Sequence, residues 1–274
     1  MPYSGNPIVG LFMLFFLSLV FILAIVGSGI VQTVVLSLNI LPVSKFDILK
    51  LTMAPGFMAA AFLCALLSLR YLPGKGRLNG PAYLAIGLLP LLLQIVATPL
   101  YNLSLMLFPP GELFFSLMET LKPTGHPLDT FGAFFSIVLV GPICEEFVFR
   151  GVMMERALRE KRNVHLIVLL QALLFGIAHM NPWQFFYAVA FGALFGYLRV
   201  WSGGISLTVL LHILVNGWSV LSMYVSLPLF QEADDGRPVP IEWWLVSVAL
   251  IIGAGLVFAL YRRRQLPVEE SVVA

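Results

Sequence analysis

Apolar runs long enough to cross a lipid bilayer recur along this chain, and nothing else in it constrains the fold as strongly. A helix crossing the hydrocarbon core needs about 20 apolar residues. Eight segments qualify or nearly do: residues 8–35, 51–70, 81–107, 130–155, 163–180, 183–200, 204–224 and 242–261. Composition agrees. Of 274 residues, 59% are hydrophobic and 11% charged, with mean hydropathy +0.95, where a soluble domain carries roughly 25% charged residues. The chain therefore reads as all-α, a polytopic membrane bundle with about eight transmembrane helices forming one integral membrane domain over residues 1–274.

Punctuation between the runs supports these divisions. Pro73-Gly74-Lys75-Gly76 and Asn79-Gly80-Pro81 separate the second and third spans, and Pro109-Pro110-Gly111 ends the third. Asn181-Pro182 offers an N-cap and an N1 proline for the sixth, and Ser202-Gly203-Gly204 breaks it from the seventh. Gln231–Pro240 is polar and acidic and reads as an exposed loop. The run from Ile8 to Val31 has no basic n-region and exceeds a signal-peptide core, so it is expected to be the first span.

Charge sets the expected orientation. With eight spans, one side carries Arg70, Lys75, Arg77, Arg150, Arg156, Arg159, Lys161, Arg162, Arg199 and Arg262–Arg264, which is 12 of the 16 basic residues. The other side has Lys45, Lys50, Lys122 and Arg237. The positive-inside rule then places both termini in the cytoplasm, in the inner membrane for a prokaryotic chain. A net charge of +2 without basic, aromatic-interleaved blocks excludes a nucleic-acid partner. Cys64 and Cys144 lie in apolar runs with no metal-type spacing, so no disulfide framework is indicated.

Ionisable groups at membrane depth cost at least ~2.5–3.5 kcal/mol each on insertion scales, so they default to functional candidates. The first three spans hold essentially none. The fourth carries Glu145, Glu146 and Arg150 in GPICEEFVFRG, the fifth His179 in FGIAH, and the seventh His212 and Asn216 in HILVN. Function is thus expected after about residue 130. Glu146 and Arg150 are four apart and can pair on one helix face, while Glu145 points about 100° away and stays available to other helices. An interfacial charge cluster, a core histidine or helix-to-helix hydrogen bonding would explain each residue singly. One shared pocket explains all of them together.

A carboxylate among apolar side chains is suited to act as general base, and with nearby imidazoles it could activate water against an amide carbonyl. A histidine and Asn216 could donate to the resulting oxyanion. Two histidines and a glutamate also match a catalytic zinc set, although no His-Glu-x-x-His is present. Cys144, beside Glu145, is a weaker nucleophile candidate because buried thiols are usually inert.

These motifs carry a resemblance. GPICEEFVFRG resembles the Glu-Glu-x-x-x-Arg motif of the CPBP family (CAAX proteases and bacteriocin-processing enzymes, also called Abi). FGIAH and HILVN resemble its Phe-x-x-x-His and His-x-x-x-Asn motifs, in family order, across a core of residues 130–224. The resemblance implies an intramembrane endopeptidase similar to the type II CAAX prenyl endopeptidases, which remove a C-terminal tripeptide after a prenylated cysteine. Glu145 would be the water-activating base, with His179, His212 and Asn216 completing the site and Glu146 and Arg150 in supporting positions. The expected partners are the lipid bilayer and a membrane-proximal or lipidated peptide substrate. No cofactor is expected, with zinc as the alternative, because Asn216 suits an oxyanion donor better than a ligand. A non-catalytic scaffold or immunity-type protein of the same family is the competing reading; a proton-coupled transporter lacks the expected inverted repeat. One feature fits poorly: along simple helices His179 falls nearer the non-cytoplasmic face than Glu145 and His212.

Overall fold

The computed structural model describes residues 7–38, 44–67, 80–159, 163–225 and 235–262, and among these, besides a four-residue helix at Lys45–Ile48, nine helices carry the fold. They are α1 (Pro7–Ser37), α2 (Ala54–Leu66, entered through a 3-10 turn at Leu51–Met53), α3 (Gly80–Leu107), α4 (Glu112–Leu121) and α5 (Pro127–Arg159). After them come α6 (Val164–Ala178), α7 (Phe185–Ser202), α8 (Ser206–Val225) and α9 (Trp243–Arg262). Six are long and apolar enough to cross a membrane; Leu51–Leu66 and Val164–Ala178 are apolar but shorter. The eight apolar segments are all present as helices, and the protein is an integral, multi-pass membrane bundle. Its outward surface is apolar, with Leu84, Met106 and Ile251 exposed, as lipid contact requires. Trp243 and Trp244 stand exposed at the start of α9, where an aromatic belt is expected.

Small residues bring the helices around the site close together. A Cβ on Gly192 would meet the Ala172 backbone at 3.0 Å, and one on Gly196 would meet Val168 at 3.0 Å. The Gly192/Gly196 pair therefore packs α7 against α6 inside the bundle. Phe149 of α5 meets Phe21 of α1 and Phe175 of α6 edge-on, at 5.4 and 5.3 Å between ring centroids. This seals the side of the bundle behind α5.

Several expectations need correction. The stretch after Pro109-Pro110-Gly111, to which the spans assign no element, forms α4, which buries Phe114 and Met118 against Tyr101, Leu105 and Trp183. Asn181 caps a turn, accepting from the Trp183 N–H at 3.1 Å, and α7 begins only at Phe185. Arg199, counted with the loop charges, is only 4% exposed. Lys50, counted on the opposite surface, is also buried. The Pro73–Gly76 break, Asn79, Arg70, Lys75, Arg77, Lys161, Arg162, Arg263, Arg264 and residues 231–234 of the acidic loop lie outside the described residues. In its described part, Val239 exchanges two hydrogen bonds with the Asn102 side chain of α3, at 2.8 and 2.9 Å.

Two helices explain the depth of His179. The fifth apolar segment is only 15 residues long, about 22 Å at 1.5 Å per residue. It falls short of the roughly 30 Å hydrocarbon core. Helix α5 does not break at Gly141-Pro142. It is wound as a π-helix over Ala133–Val140, as an α-helix over Gly141–Glu146, and as a π-helix again over Phe147–Met153. A proline inside a helix removes a donor and crowds a carbonyl, and local widening is one way a helix accommodates it.

Candidate active site

The widened helix leaves a backbone acceptor that one site residue satisfies. In the π register the Gly141 N–H donates to the Ser136 carbonyl. The next acceptor in that register, the Ile137 carbonyl, faces Pro142, which has no N–H. Asn216 of α8 supplies the missing donor, its Nδ2 bonding the Ile137 oxygen at 2.9 Å. The seventh-span carboxamide is thereby fixed against the motif helix, with its second N–H uncommitted by this bond.

Glu146 and Arg150 pair as their spacing requires. Arg150 Nη1 donates to Glu146 Oε1 at 2.7 Å, and both side chains are fully buried. The guanidinium lies 4.0 Å from the Phe175 ring centroid and 5.3 Å from that of Phe195, and Nη2 reaches the Gly192 carbonyl at 3.4 Å. Cation–π contacts replace part of the water that the buried guanidinium gives up. Arg199 reinforces the same stretch of α5: its Nε donates to the Arg150 carbonyl at 3.0 Å, and its Nη2 pairs with Glu155.

The same Glu146 oxygen also accepts from His212 Nδ1 at 2.9 Å. A carboxylate only accepts, so Nδ1 carries the proton, and in the neutral imidazole Nε2 presents a lone pair. That lone pair faces Glu145: Nε2 and Glu145 Oε2 stand 3.8 Å apart. This is beyond direct hydrogen-bond reach and suits a bridging water. His179 is set in the same tautomer, its Nδ1 bonded to the Phe175 carbonyl at 2.8 Å. Phe175 stands edge-on to both imidazoles, at 4.6 Å from His179 and 5.9 Å from His212. The phenylalanine of the second motif is thus the common wall of Arg150 and both histidines.

Glu145, His179, His212 and Asn216 all line one cavity of about 510 Å³. All four sequence-predicted site residues are brought together, with Glu146 and Arg150 directly behind them. Among the described residues, no group of three or more His, Cys, Asp and Glu is arranged to hold a metal ion. Cys144 and Cys64 are free and buried, and neither is among the cavity-lining residues.

Residues 127–218 match the family model described as type II CAAX prenyl endopeptidase Rce1-like. They contain all three motifs. This segment belongs to the CAAX protease family. The membrane-embedded CAAX protease MroQ of Staphylococcus aureus (strain USA300) is similar, 27% identical over 107 residues. That alignment covers 37% of this chain and 43% of MroQ, so the chain matches less than half the length of this relative. No solved structure gives a significant match.

The CAAX protease segment does not enclose the cavity alone, which corrects the expectation that function lies wholly after about residue 130. Phe21 and Ile25 of α1, Lys50, Phe57 of α2, and Gln94 and Tyr101 of α3 also line it. Gln94 Nε2 donates to the Val215 carbonyl at 3.0 Å and to Ser219 Oγ at 2.7 Å, fastening α3 to the cavity face of α8. At the cavity's other end, Lys50 Nζ bonds Asp129 Oδ1 at 2.6 Å and the Lys122 carbonyl at 2.8 Å. Tyr224 donates to Asp129 Oδ2 at 2.6 Å. Sequence reasoning missed this second cluster because its members stand far apart along the chain. An acid in the first turn of the span that also carries Glu145, Glu146 and Arg150 was the one signal that could have found it.

Proposed function

We propose that this protein is an intramembrane endopeptidase of the glutamate type, hydrolysing a peptide bond in a membrane-proximal or lipidated substrate. Membership of residues 127–218 in the CAAX protease family supports a peptidase. The observation that carries the finer reading is the facing pair, Glu145 Oε2 and His212 Nε2, 3.8 Å apart in a cavity lined mostly by apolar side chains. A water between them donates one hydrogen to each and turns an oxygen lone pair towards the cavity. Glu145 takes the proton as that oxygen attacks the scissile carbonyl carbon, and the proton passes to the leaving amide nitrogen as the C–N bond breaks. The second N–H of Asn216 faces the oxyanion. His179, its proton held on Nδ1, offers Nε2 to the same space. Glu146 and Arg150 act one step back by fixing the tautomer and direction of His212.

A zinc mechanism would need three protein donors and an open position. The donor geometry supports the metal-independent form: among the described residues no three His, Cys, Asp or Glu side chains are arranged to hold a metal ion. The test is cleavage of a membrane-anchored peptide reporter by purified protein, with products identified by mass. His212→Ala should remove cleavage while the protein remains folded. A preparation that is folded, monodisperse and inert towards every reporter would favour the scaffold reading instead.

A further inference from the structure

The cavity runs along α8. His212, Asn216, Ser219, Val220 and Tyr224 line it in succession, at the three- and four-residue steps that share one helix face. On α5 the matching stripe is Glu145, Gly141, Ile137 and Ala133, and it ends one turn from Asp129. The two stripes run from the facing Glu145–His212 pair to the Lys50–Asp129–Tyr224 cluster. From His212 to Tyr224 is twelve residues, about 18 Å of helix. An extended peptide advances about 3.3–3.6 Å per residue, so this length holds about five residues. A tripeptide would span only about 10 Å.

The far end is a polar stop. Lys50 Nζ has close bonds to Asp129 and the Lys122 carbonyl, but its contact to Tyr224 Oη is long, at 3.4 Å. Lys50 and Tyr224 both line the cavity. The ammonium hydrogen on that long contact is therefore the most exchangeable of the three Lys50 donors, and it fits an oxygen of an entering chain.

Resting on the peptidase reading above, we infer that the cavity is a length-measuring channel. It seats about five extended residues on one side of the scissile bond, and Lys50 receives a backbone carbonyl or terminal carboxylate oxygen at its end. The cluster is thus a specificity determinant remote from the reacting atoms, and tripeptide release leaves it unused.

Two nested series of membrane-anchored peptides, lengthened one residue at a time on either side of the cleaved bond, test this. On one side only, kcat/KM should rise stepwise, by about tenfold or more in total, and level off at about five residues. Free-acid and amidated ends at that length separate a terminal carboxylate from a backbone carbonyl as the oxygen bound. Lys50→Met should remove the gain from the last residue. Val220→Trp leaves the ion pair intact and obstructs the channel eight residues, about 12 Å, from His212; it should move the plateau to about three residues. Cleavage with a plateau at three residues in the unaltered protein, or a profile unchanged by Val220→Trp, overturns the channel alone. Absence of cleavage at every length overturns the peptidase reading and the channel with it.

Discussion

Two buried ion pairs stand at opposite ends of one cavity, and they are satisfied differently. Lys50–Asp129 joins residues 79 apart and is nearly saturated: both Asp129 oxygens are bonded, Oδ2 by the Tyr224 hydroxyl and the Thr124 N–H at 2.6 and 3.1 Å. Glu146–Arg150 is local to one helix, and among the described residues no group is placed to hydrogen-bond its second carboxylate oxygen or the arginine Nε. Its first oxygen instead serves both Arg150 and His212. A saturated pair ties elements together. A pair that leaves atoms unmatched and shares an oxygen with an imidazole is arranged around that imidazole. Buried networks of either kind are costly to break, but only the second couples to the water-activating pair.

The largest effect should come from leaving one charge of either pair alone. Arg150→Met leaves Glu146 with only the His212 hydrogen bond and should cost about 3–5 kcal/mol, read as loss of folded protein or a collapse of Tm in detergent. Lys50→Met should cost less, about 2–3 kcal/mol, because Tyr224 and Thr124 still bond Asp129. Removing both members then separates the clusters. Glu146→Leu with Arg150→Met should regain most of the stability but no cleavage, since His212 Nδ1 loses its acceptor. Lys50→Met with Asp129→Leu should regain stability and keep cleavage of short peptides. Equal behaviour of the two double variants in the cleavage assay would break the comparison.

Asn216→Ala comes next. It should slow cleavage about 10²–10³-fold if the carboxamide meets the oxyanion, and cost about 1–2 kcal/mol by orphaning the Ile137 carbonyl. A stability loss without a rate loss would reduce Asn216 to a helix tie. The smallest effect should be that of metal removal: prolonged treatment with a zinc chelator is expected to change the cleavage rate less than twofold. Loss of activity restored by added zinc would replace the glutamate mechanism.

The sequence revealed the half of this comparison that secondary structure closes. Glu146 and Arg150 are one helical turn apart, so their pairing follows from spacing alone, and Glu145 could be separated from them by the 100° helical step. Apolar runs and ordered motifs likewise pointed to the bundle and to Glu145, His179, His212 and Asn216. The bond between His212 and Glu146 was not legible, because it depends on how α8 rotates against α5. Lys50 was hidden for a related reason. A lysine between two apolar runs reads as a loop charge unless its partner across 79 residues is known. Arg199, at the end of its span, is likewise buried against a partner, Glu155, that spacing along the chain does not give. The π-helical winding of α5 was signalled only by Pro142, and that winding places Asn216 against the Ile137 carbonyl.

The central claim is that two adjacent carboxylates, Glu145 and Glu146, do different work. The direct measurement is cleavage rate and thermal unfolding of Glu145→Gln and Glu146→Gln, prepared side by side. Glu145→Gln should lose cleavage by at least about 10³-fold with Tm unchanged within a degree or two, because its side chain is 14% exposed in the cavity and stands 3.8 Å from His212, beyond direct hydrogen-bond reach. Glu146→Gln should lose both rate and stability, because Arg150 and His212 both depend on its charge. Full cleavage by Glu145→Gln, or matching losses of stability in the two variants, would contradict the account.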